Sequence, residues 1–85
     1  MQDAPGDIDA IIAEEQRSFA RESLGEAWAD AISEGIDTAI LADTAIATAL
    51  EQIVADKGED AARALLDAMG ERLTSGDFDR NINYH

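Results

Sequence analysis

An all-α fold, a compact three- to four-helix bundle around a central helix near residues 37–57, is what this 85-residue sequence predicts. Three observations carry the prediction. Apolar side chains recur at helical spacing and never alternate over a strand's length; glycines at 35, 58 and 76 close the periodic stretches; and 17 alanines supply small residues that let helices approach closely.

The first helix is expected after Pro5 and Gly6, with Asp7 and Asp9 near its positive end. Ile8, Ile11, Ile12 and Phe19 share one face. From Leu24 onward the apolar residues Leu24, Trp28, Ala31 and Ile32 project about 180° away from that group. A straight helix would therefore need different partners on opposite faces, most simply including a second subunit for its N-terminal half. The alternative is a break between Phe19 and Leu24, which would let both segments face one core. Ser23 and Glu26 have the S-x-x-E form of a capping box, which favours the break. This segment ends at Gly35, leaving room only for a tight corner before Asp37.

The central helix, IDTAILADTAIATALEQIVADK, is the longest pattern and the poorest in charge. Asp37 is placed to cap its start, and Ile36 and Leu41 have the spacing of a hydrophobic staple. Gly58 follows its last residue, and Lys57 sets a positive charge at the negative end of the helix dipole. Ile40, Ile46, Leu50, Ile53 and Val54 form the expected core face. The opposite side, Leu41, Thr44, Ala45, Thr48, Ala49, Gln52 and Ala55, is small and neutral, with Glu51 and Asp56 its only charges. It reads either as an exposed Ala/Thr surface or as a second contact face for another helix or another copy of the chain. Asp43 projects into the apolar arc, where a first-turn acid facing solvent or Arg63 accounts for it.

A last helix is expected from about Asp60 to Ser75, closed by Gly76. Ala62, Leu65, Leu66, Met69 and Leu73 form its core face, with Arg63, Asp67 and Glu71 opposite. Residues 1–76 thus form one helical domain. The tail, residues 77–85, alternates Phe78, Ile82 and Tyr84 with polar residues and has no helical period; an extended arm in a groove and a disordered end fit it equally.

From Ala29 to Asp79 the runs EGID, ILA, AL, IVADKGEDA and ERLTSGDF resemble small helical proteins of alphaproteobacteria whose function is not established. The resemblance implies a bacterial, helical protein. It brings no catalytic motif and carries no site across.

The chain has no cysteine, which excludes disulfides and thiolate metal sites, and its single histidine is the last residue, His85. Imidazole-based metal sites and Ser-His or Cys-His nucleophilic pairs are therefore not expected. No phosphate-binding glycine loop is present. Asp77, Asp79, Asn81 and Asn83 imitate the opening of a calcium loop, but Ile82 stands where such a loop needs glycine, and the bidentate glutamate is missing. No enzyme and no cofactor are expected. The N-terminus is acidic where a secretory signal is basic, and no apolar run approaches the ~20 residues that span a bilayer. A cytoplasmic protein that does not enter membranes is expected.

Nineteen acids against six bases give a formal net charge of −13. Direct binding to nucleic acid is improbable at that charge, and protein partners are expected instead. Glu22, Glu26, Asp30 and Glu34 are spaced by four, so like charges neighbour one another along a helix. The row is either a solvated, solubilising face or an acidic ridge offered to a basic protein surface. If Ser23 starts a new helix, only Glu26, Asp30 and Glu34 stay in register. The expected function is a self-associating protein–protein interaction module, a homodimer with Ile8, Ile11, Ile12, Phe19, Thr44 and Thr48 among its contacts. The alternative is a nucleic-acid-mimicking inhibitor or decoy, of the phage anti-defence type, that blocks a basic site.

Overall fold

The computed structural model describes residues 5–79, with side chains from residue 8 onward. Its elements are α1 (Pro5–Ser33), α2 (Thr38–Lys57) and α3 (Glu59–Thr74), and there is no strand among the described residues. The chain is all-α. It divides into two compact units, Met1–Ala42 and Asp43–His85.

In the first unit, α1 runs without interruption for 29 residues, about 43 Å at 1.5 Å per residue. The expected break at Ser23 does not occur. A capping box competes with helix propagation, and here the flanking residues are good helix formers, so the extra hydrogen bond of a new cap is outweighed by continuous backbone pairing. Gly25 sits inside this helix with open space around it. The stop is where the sequence places it. Gly35 has φ +90°, and its N–H donates to the Ile32 carbonyl at 2.9 Å while the Ile36 N–H reaches the Ala31 carbonyl at 3.2 Å. These two bonds make a Schellman motif, which satisfies carbonyls that the helix end leaves free.

α2 begins as predicted. Asp37 Oδ2 accepts from the Ala39 N–H at 3.0 Å and the Ile40 N–H at 3.4 Å, satisfying two of the orphan donors of the first turn. There is no acid within that turn, so Asp43 lies deeper in the helix than expected. By length and composition α2 is also apolar enough to cross a membrane, contrary to the expectation that no segment approaches this. Its many alanines raise the mean hydropathy over the whole length without any long run of large apolar residues. Asp43 and Glu51 oppose insertion, since a carboxylate near the centre of a spanning helix costs about 2.5–3.5 kcal/mol.

In the second unit, a single residue joins α2 to α3. Gly58 has φ +97°, donates to the Val54 carbonyl at 3.0 Å, and accepts from Ala62 at 3.3 Å, so it ends one helix and starts the next. It has no side chain to cap α3; Glu59 and Asp60 in the first turn favour the positive helix end instead. α3 closes with a second Schellman motif, from Gly76 to Leu73 (3.2 Å) and from Asp77 to Arg72 (3.0 Å). Arg72 braces that turn with its side chain. Its Nε donates to Asp77 Oδ2 at 3.1 Å, and its guanidinium lies 4.8 Å from the centre of the Phe78 ring. The start of the tail is thus fixed, while Asn81, Ile82, Asn83, Tyr84 and His85 lie outside the described residues.

Little of the expected core is closed within either unit. Ala62 is the one buried apolar residue among those described, while Leu50 and Ile53 are half-buried. Ile40, Ile46, Val54, Leu65, Leu66, Met69 and Leu73, assigned to core faces by their spacing, are exposed. The physical reason is geometric: two adjacent helices cover only one strip of each other, and an apolar arc wider than that strip stays open until a further helix covers it.

Candidate interaction surface

α1 carries two apolar stripes because its apolar spacing changes phase while its backbone does not. Ile8, Ile11, Ile12 and Phe19 remain 62, 59, 48 and 71% exposed. Leu24, Trp28 and Ile32, on the other side of the same helix, are also exposed. Glu15 lies inside the N-terminal stripe, one turn from both Ile11 and Phe19, and has neither an ion pair nor a side-chain hydrogen bond among the described residues. Glu14 is the acid that pairs with Arg17, at 3.1 Å.

A continuous α1 also keeps the acidic row whole. Glu22, Glu26 and Asp30 follow one another at one-turn intervals, Glu34 stands just past the helix end, and all four are exposed and without partner among the described residues. No basic residue occupies the last turn of α1, so Asp30 and Glu34 stand unscreened at the negative end of the helix dipole.

On the second unit, α2 and α3 frame an apolar groove that their spacing alone does not reveal. A cavity of about 220 Å³ is lined by Ile46, Ala49, Leu50, Leu65, Leu66 and Met69, without a charged group among them. The sequence places Ala49 on the neutral back face of α2; in the structure Ala49 lines the groove on the α3 side, where its small side chain leaves the floor open. The groove continues past Leu50 and Leu66 into a cleft of about 170 Å³ that Val54, Ala62, Glu59 and Arg63 complete. Arg63 holds Glu59 at 3.0 Å, so it is not the partner of Asp43. Thr44 and Thr48, the remaining candidates for dimer contacts, are exposed on α2.

There is no cluster of three or more metal-ligating side chains among the described residues, and Asp77, from the calcium-like spacing of the tail, is engaged by Arg72. The four ion pairs among the described residues all lie at the surface and are local in sequence. What the arrangement offers chemically is contact area: sixteen large apolar residues among those described are exposed. Comparison with known proteins finds no matching family model, no similar curated protein and no similar solved structure.

Proposed function

We propose that this protein is a small protein–protein interaction module that works as a homodimer, in which helices of the two copies cover each other's apolar faces. The observation that carries this reading is the uninterrupted α1 with exposed apolar stripes on opposite faces. A 29-residue helix of that kind needs cover on both sides, and a twofold pair supplies the second cover from the same sequence. The reading has no catalytic step, cofactor or nucleic-acid contact, and it places the protein in the bacterial cytoplasm. Light scattering on the full-length chain tests it. A mass near twice 9.1 kDa at micromolar concentration is expected; a mass near 9.1 kDa at high micromolar concentration overturns it, and detergent-dependent solubility would move α2 into a membrane instead.

A second reading rests on the unpaired row Glu22, Glu26, Asp30 and Glu34. Carboxylates about 6 Å apart approach the spacing of backbone phosphates, and such a ridge suits a decoy that occupies a basic nucleic-acid-binding site. Salt separates the two. Binding through the ridge weakens steeply between low and moderate ionic strength, whereas association through apolar stripes barely changes.

A further inference from the structure

We draw no further inference here: the strongest candidate, the uncharged apolar groove that Ile46, Ala49, Leu50, Leu65, Leu66 and Met69 line between α2 and α3, carries nothing because nothing in the structure shows what covers it.

Discussion

Ala39 donates its backbone N–H to Asp37 Oδ2 at 3.0 Å, the contact that sets where α2 begins. Asp37→Ala is expected to cost about 1 kcal/mol, the typical worth of an N-cap carboxylate, and Asp37→Asn much less, because the amide oxygen accepts the same bonds. Urea unfolding followed by circular dichroism measures both. Equal losses for the two variants would mean that the charge of Asp37, and not its cap, is what matters.

Two glycines, one inside α1 and one just past its end, have opposite roles. Gly25 lies mid-helix with nothing near its absent side chain, so Gly25→Ala is expected to stabilise by roughly 0.5–1 kcal/mol. Gly35 holds φ +90° in the Schellman turn, and Gly35→Ala is expected to destabilise by about 1–2 kcal/mol. Melting temperatures of the pair check this. A loss of stability in Gly25→Ala would indicate that the chain uses flexibility at this point, contrary to a rigid continuous helix.

Helix ends were the most legible part of the sequence, because each depends on a residue with a local mechanism: Asp37 through its carboxylate, and Gly35, Gly58 and Gly76 through positive φ. The continuity of α1 was not. Ser23 and Glu26 form a genuine capping pattern, and neither that pattern nor the phase change of the apolar residues says that continuous backbone pairing outweighs it. The groove was hidden for a related reason. Spacing assigns Leu65, Leu66 and Met69 to a core, but it does not say that α3 covers too little of α2 to close one. The position of Ala49, at the edge of the apolar arc, is invisible to a pattern that weighs alanine lightly.

Leu50 measures how far the groove is covered. Half-buried in the chain, it should cost less on truncation than the 2–5 kcal/mol of a fully enclosed leucine, so Leu50→Ala is expected to lose roughly 1–2 kcal/mol at concentrations where the protein is monomeric. If self-association covers the groove, the loss rises into that full range at higher protein concentration. Chemical denaturation at two protein concentrations a hundredfold apart reads the difference. An identical loss at both would mean that nothing further covers Leu50 on association.

The acidic row provides the last prediction. The four ion pairs described above are exposed, with side chains 48–75% accessible, and such pairs contribute at most about 1 kcal/mol each. Against them stand Glu22, Glu26, Asp30 and Glu34, mutually repelling at one-turn spacing, with Asp30 and Glu34 also at the unfavourable end of the α1 dipole. Repulsion between exposed charges spread over the whole chain is the longer-ranged effect, so it is the one that salt relieves more. Raising sodium chloride from about 10 to about 150 mM, which shortens the screening length from roughly 30 to 8 Å, is therefore expected to raise the melting temperature. Chloride is the right anion here because sulfate strengthens apolar burial by itself. Glu26→Gln removes two like-charge neighbours at once and is expected to stabilise by a few tenths of a kcal/mol at 10 mM salt, the gain disappearing near 1 M. A melting temperature that falls with added chloride would show that attractive pairs outweigh the row. The acids of α1 would then already be matched, and the ridge would be unavailable to a basic partner.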